Sequence, residues 1–211
     1  FFRKSEKLQV DEKNMFAWSS LALYEAKKQN VNTFKFENIN QLCIKLNDIF
    51  FKNSNTIDNV KSALKQYGIK LVLIQKLEKT PVDGFSFWSG DNPAIALTLR
   101  HNRIDNFAFT LMHEIAHIDL HLRNNKEKSF LDLTKKDKTD NLESEADSYA
   151  QDKLISKECW NDILKNYLPL NDDKLIELGN KYHINPAILL GRVCFEMDYY
   201  ALKTIIDRKI E

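Results

Sequence analysis

Helical periodicity on both sides of one block of strand-like sequence predicts a mostly helical α+β chain with a small antiparallel or mixed sheet. The block lies between Ile69 and Arg100, and a near-continuously apolar segment, Phe107 to Leu122, follows it directly. A helix that apolar is buried on most sides, and the sheet is its neighbour in sequence, so the two are expected to pack together.

Val10-Asp11 ahead of Met15 has the form of a helix start, with Asp11 as cap, Val10 stapled onto Met15, and the helix running to about Lys28. A second helix starts from the cap residue Asn38, with Ile39, Leu42, Cys43, Leu46, Ile49 and Phe50 spaced for one apolar face. A third begins near Ile57 and stops at Gly68, and the bulky, β-branched run Ile69 to Ile74 then reads as a strand. Gly84 introduces Phe85 to Trp88, and Ser89 to Pro93 separates this from Ala94 to Arg100, a hairpin with a long turn. Asp105 is placed to cap the apolar helix. The polar, Lys-rich stretch Arg123 to Asn141 reads as a solvated connection, and helical pattern resumes from Leu142 to Ile155. Asn185-Pro186, a cap followed by proline at the first helical position, opens a helix through about Met197.

Composition narrows the function. The 211 residues carry 31 Lys and Arg against 30 Asp and Glu, a formal net charge of +1, and 43% are hydrophobic. Disorder and collagen-like repeats are excluded, and the length suits one generous domain or two small ones. The longest apolar runs, Leu71 to Ile74 and Ala94 to Leu97, fall far short of the roughly 18 residues of a membrane span. Near-neutral charge argues against a protein built to neutralise many phosphates. Cys43, Cys159 and Cys194 are odd in number and widely spaced, which suits a reducing compartment, so a cytoplasmic chain is expected. The opening Phe1-Phe2-Arg3-Lys4 shows neither an initiator Met nor a signal-peptide pattern, and more protein is expected ahead of it.

The apolar helix carries His113-Glu114-Ile115-Ala116-His117, an H-E-x-x-H arrangement. Residues four apart rise about 6 Å and share a helix face, so both imidazoles can reach one ion at about 2.0 to 2.1 Å. Glu114 is then beside that ion, where a general base is needed. Burying this triplet among Phe109, Leu111, Met112 and Ile115 is costly without a strong partner, and a divalent cation is the obvious one.

A catalytic zinc site takes a third protein ligand and keeps a fourth position open. His121 lies eight residues and roughly 12 Å of rise from His113, too far for both to share an ion. The metzincin extension fails because Leu120 and Arg123 stand where it needs glycine and histidine. Downstream, Glu143-Ser144-Glu145-Ala146-Asp147 offers acids at i and i+4 of a helix. Glu143 can ligate while Asp147 hydrogen-bonds the far nitrogen of a ligand histidine, and Glu145 points toward solvent.

At these residues the chain resembles the ImmA/IrrE zinc metallopeptidases. The resemblance rests on Phe107 to His117, with H-E-x-x-H, and on Glu143-Ser144-Glu145-Ala146-Asp147-Ser148-Tyr149-Ala150, against the pattern E-x-E-A-[ND]-x-F-A. Leu154-Ile155-Ser156 stands where the family often has a Leu-Ile/Met-Pro ending. Ile184 to Arg192, and Phe1 to Trp18, are similar to segments of a subgroup fused behind a Cro/C1-type helix-turn-helix antitoxin. The resemblance implies a zincin-like fold with His113, His117 and Glu143 as zinc ligands, Glu114 as general base and acid, and Asp147 as partner of a ligand histidine. It also implies cleavage of a DNA-binding repressor or antitoxin in stress, mobile-element or toxin-antitoxin control. On this reading residues 1–55 are a helical linker behind a missing N-terminal domain, and 56–211 are the metallopeptidase domain.

Some expectations remain open at this point. His101 and His183 have bland readings as surface or core histidines, although His183, or Arg192 instead, could stabilise an oxyanion. Trp18, Trp88 and Trp160 are expected as core or interface anchors. Leu175 to Val193 imitates a helix-turn-helix, but Arg192 is the only base-capable cation of its second helix, so no direct nucleic-acid binding is expected. A regulator with a metal held for stability or sensing is the alternative to an enzyme, and Glu114 favours catalysis because a structural site needs no base. A peptide substrate is expected to add as a strand alongside Ala94 to Arg100.

Overall fold

The computed structural model describes residues 11–80, 82–98, 102–123, 136–200 and 203–211. Helix α1 (Glu12–Lys27) starts at Asp11, whose carboxylate accepts from the backbone N–H groups of Lys13 and Asn14 at 3.0 and 3.1 Å. Val10, the other half of the expected helix start, lies outside the described residues, as does His101. Asn38 does not cap the second helix with its side chain. It closes a 3-10 turn, Phe36–Asn38, that runs straight into α2 (Ile39–Lys52), so the backbone satisfies what the side chain was expected to satisfy. Helix α3 (Thr56–Gln66) ends before Gly68, which sits at φ +81°. A Cβ there would come within 2.6 Å of the Phe34 backbone, so both conformation and space require glycine.

Strands β1 (Lys70–Ile74), β2 (Gly84–Ser89) and β3 (Asn92–Thr98) form a mixed sheet in the order β1-β3-β2. β3 runs parallel to β1, from Lys70↔Ala94 to Ile74↔Thr98, and antiparallel to β2, from Gly84↔Leu97 to Ser89↔Asn92. The hairpin turn is two residues, Gly90-Asp91, with Gly90 at φ +68°, tighter than the five-residue break expected. Both edges of β3 are therefore paired, which overturns the expectation that a substrate strand adds alongside it. The signal was present: Pro93 to Thr98 is buried at every position, the signature of a central strand rather than an edge.

The sheet has two differently covered faces. Val72, Ile74, Phe85, Phe87, Ala94 and Ala96 pack against Trp18, Ala22 and Ala26 of α1. Leu71, Ile95 and Leu97 face the larger core made with α2, α3 and α4 (Ile104–Ala116). Asp105 does not cap α4. It lies one residue inside the helix, 8% exposed, with its carboxylate gripped by Arg103 and Arg208, both at 2.5 Å. The first turn of α4 is instead held by the C-terminal segment, through Ile104 N–H to the Arg208 carbonyl at 2.8 Å.

After α4 comes one π-helical turn, His117–His121. Helix α5 (Lys136–Leu154) then starts earlier than the apolar pattern suggests, so part of the expected loop is helix and 124–135 falls outside the described residues. Helix α6 (Lys157–Asn166), capped by Ser156, was missed in sequence. Helix α7 (Asp172–Tyr182) ends at His183 in the left-handed region, and α8 (Pro186–Glu196) opens as expected, with Asn185 accepting from the Ala187 N–H. Ala187, Ile188, Leu189, Leu190 and Cys194 of α8 are buried, so this second helix of the apparent helix-turn-helix lies in the core. Trp18 and Trp160 are buried, and Trp88 packs edge-on against Phe34 and Phe36. Among the described residues no helix is long and apolar enough to cross a membrane.

Candidate metal centre

His113, in the last turn of α4, and His117, the first residue of the π-helical turn, direct their Nε2 atoms at one point, 3.0 Å apart. Glu143 reaches the same point from α5, with Oε1 3.0 Å from His117 Nε2 and Oε2 3.3 Å from His113 Nε2. The close approach of the two helices depends on Ala146 and Ala150, fully buried small residues of the E-x-E-A-D-x-Y-A run. Asp147, one turn beyond Glu143, places Oδ1 2.9 Å from His113 Nδ1 and accepts its hydrogen bond.

The donor set fits a metal. One ligand atom from each of the three residues lies within 4.8 Å of the other two, and Glu143 Oε1 is buried without a hydrogen bond. With His113 Nδ1–H donating to Asp147, its Nε2 presents a lone pair, facing a second nitrogen and a carboxylate. Such a cluster needs a positive charge at its centre. A proton can supply it: burial opposes charge on His113, but the Asp147 and Glu143 carboxylates outweigh burial and lift its pKa to about 10. Glu143 is likewise opposed by burial, and His113 and His117 draw it down to about 2. A divalent cation answers the same demand with more charge and a matching appetite for nitrogen and oxygen ligands.

Glu114, 2% exposed, is met by β2, and its charge also acts on His113. Ser86 Oγ lies 2.6 Å from Glu114 Oε2 and donates to it, and is 2.9 Å from the Glu114 carbonyl. The other oxygen, Oε1, occupies space that a side chain at 84 would fill: a Cβ on Gly84 would stand 2.3 Å from it. β2 thus brings glycine and serine to the carboxylate because strand side chains alternate, with Phe85 and Phe87 directed to α1. Gly84→Ala is expected to displace Glu114 and lower peptide cleavage by about 10²-fold. Metal affinity should be unchanged, which chelator competition run beside a cleavage assay will check.

His121 is not among the three converging residues, as its spacing requires, but it is in contact with one of them. Its Nδ1 lies 2.8 Å from His117 Nδ1, and its Nε2 3.2 Å from Glu145 Oε2. Burial pushes the His121 pKa below its ordinary value, against the pull of Glu145. Glu145 is exposed as expected, yet it does not point only to solvent. The π-helical turn that carries His121 is pinned by Tyr149, whose hydroxyl donates to Asp119 at 3.1 Å, and by Trp88, whose indole N–H donates to the Leu122 carbonyl at 3.2 Å.

The two oxyanion candidates separate. His183 lies tilted against the Phe51 ring, centroids 3.8 Å apart, and 3.2 Å from Asp48, lining a cavity that none of His113, His117 or Glu143 lines. Arg192 lines a cavity of about 320 Å³ whose wall includes Asp147 and Phe109, and its guanidinium is held by Glu196 at 2.6 Å. Phe109 sits one turn before His113, with ring centroids 6.2 Å apart. Sequence reasoning missed Gly84, Ser86 and the His121–Glu145 pair. Small residues alternating with Phe85 and Phe87 were the signal for the first two, and the second i, i+4 histidine step was the signal for the pair.

No curated protein matches the chain. The family model Peptidase_M78, described as the IrrE N-terminal-like domain, matches residues 64–192, which is more than half of the chain and includes β2, α4, the π-helical turn and Glu143. A possible metal-binding triad and its neighbouring buried carboxylate thus lie within the matched span, and the chain belongs to this metallopeptidase family.

Proposed function

We propose that the chain is a zinc-dependent endopeptidase of the gluzincin type, with His113, His117 and Glu143 holding the ion and Glu114 as general base and acid. The observation that carries this reading is the pairing of a converged three-residue donor set with a buried carboxylate on the next residue of the same helix. A bound zinc ion supplies Lewis acidity, polarising the scissile carbonyl and acidifying water. Glu114 takes the proton of the attacking water at Oε1 and returns it to the leaving amine nitrogen, while Ser86 holds Oε2 and keeps the carboxylate oriented.

The peptide docks on β2, the edge strand on the metal side of the sheet, rather than on the central β3. Main-chain hydrogen bonds to an edge strand bind an extended peptide whatever its sequence, and pockets then select side chains. The substrate is a DNA-binding repressor or antitoxin, which the family resemblance supports, and the chain acts in the cytoplasm, where its three free cysteines stay reduced. Contact with nucleic acid falls to the substrate, since α8 is packed in the core.

The test is incubation of the purified chain with the repressor or antitoxin encoded beside it, with and without chelator, together with metal analysis. Chelator-sensitive cleavage and about one zinc per chain are expected. Stoichiometry near zero with no rebinding on added zinc would refute the reading. Zinc bound with no turnover of any neighbouring regulator would favour a sensing domain instead.

A further inference from the structure

We propose that His121 and Glu145 are positioning residues that hold His117 in the one tautomer able to bind metal through Nε2. The inference rests on His117 being a ligand and adds what makes it one.

With His117 offering its Nε2 lone pair and His121 neutral, the hydrogen-bond directions have a single consistent solution. A histidine that offers its Nε2 lone pair carries its proton on Nδ1. The atom 2.8 Å from His117 Nδ1 is His121 Nδ1, which must accept that proton's hydrogen bond. His121 then carries its own proton on Nε2, and the atom 3.2 Å from that nitrogen is a carboxylate oxygen of Glu145, a pure acceptor. The opposite arrangement puts the proton on His117 Nε2, which removes the lone pair that a metal needs, and sets the lone pair of His121 Nε2 against the Glu145 carboxylate. Glu145 therefore selects the direction of the whole chain.

The two ligand histidines are thus oriented differently. His113 leans on a carboxylate directly, through Asp147, whereas His117 leans on one through a second imidazole. That imidazole sits on a π-helical turn, a geometry that recurs at functional sites, and its side chain is only 8% exposed. Tyr149 and Trp88 anchor the turn through Asp119 and Leu122, so the support does not depend on the metal.

The experiment compares zinc affinity of the full chain and two variants by competition with a fluorescent chelator. In His121→Asn the amide oxygen replaces Nδ1 as acceptor, while His121→Leu keeps the bulk and accepts nothing. His121→Leu is expected to weaken zinc binding about 10- to 100-fold, and His121→Asn to bind nearly as the unsubstituted chain does. Nitrogen-15 spectra of the zinc-loaded unsubstituted chain should show His121 protonated on Nε2 and bare on Nδ1, a readout that stands even if the leucine variant does not fold. Equal affinity in His121→Leu, an asparagine variant as weak as the leucine one, or an Nδ1-protonated His121 would each overturn the proposal. If the unsubstituted chain binds no zinc, the functional reading fails first and takes this one with it.

Discussion

Glu114→Gln is expected to keep fold and zinc while losing about 10³-fold in peptide cleavage. The direction follows from Ser86. Its hydroxyl donates to Glu114 Oε2, so in the variant it selects the amide oxygen for that place and turns the NH₂ group to the position of Oε1. A donor then stands where the mechanism needs an acceptor, with no change in volume. Single-turnover cleavage of a confirmed substrate, read beside chelator-competed zinc affinity and circular dichroism, checks it. Unchanged turnover, or loss of zinc, would make Glu114 a structural residue.

Glu143→Ala is expected to weaken zinc binding by more than about 10²-fold, because it removes a ligand outright where changes to the groups behind ligands cost about 10- to 100-fold. Two lone-pair nitrogens 3.0 Å apart would be left without the carboxylate that balances a dication. Thermal denaturation reads the same loss independently: zinc at 100 times its Kd should stabilise the unsubstituted chain by about 2.7 kcal/mol and the variant far less. Asp147→Asn should fall between the two, since an amide oxygen still accepts from His113 Nδ1 but without the charge. A Glu143→Ala variant that binds zinc as tightly as the unsubstituted chain would remove Glu143 from the ligand set.

The parts of the site set by helical spacing were legible in the sequence. His113 and His117 share a face because they are four apart, and Glu143 and Asp147 do so for the same reason, so their convergence needed only that two helices meet. Contacts that depend on tertiary arrangement were not legible. Asp105 looks like a cap because a short acid precedes an apolar run, yet Arg208, more than a hundred residues later, claims its carboxylate. Asn38 looks like a cap for the same local reason, and a 3-10 turn makes that cap unnecessary. Strand order was hidden as well. Nothing local to Ala94–Thr98 says that β1 returns parallel to it, although the burial of both faces is written in its unbroken apolar run.

The two-residue turn between Ser89 and Asn92 has a consequence that reaches well beyond the hairpin. It sets which residue of β2 stands opposite which residue of β3, and strand side chains change face with every step. Slide β2 by one position and Phe85 or Phe87 would confront Glu114, while the hydroxyl that steadies the carboxylate would turn to the α1 side, among Trp18 and Ala22. Insertions or deletions of a single residue at Gly90-Asp91 therefore act on the Glu114 carboxylate as surely as a substitution at Ser86 would. Asp91 of that surface turn is open to change, but Gly90, in the left-handed region, and the length of the turn are not.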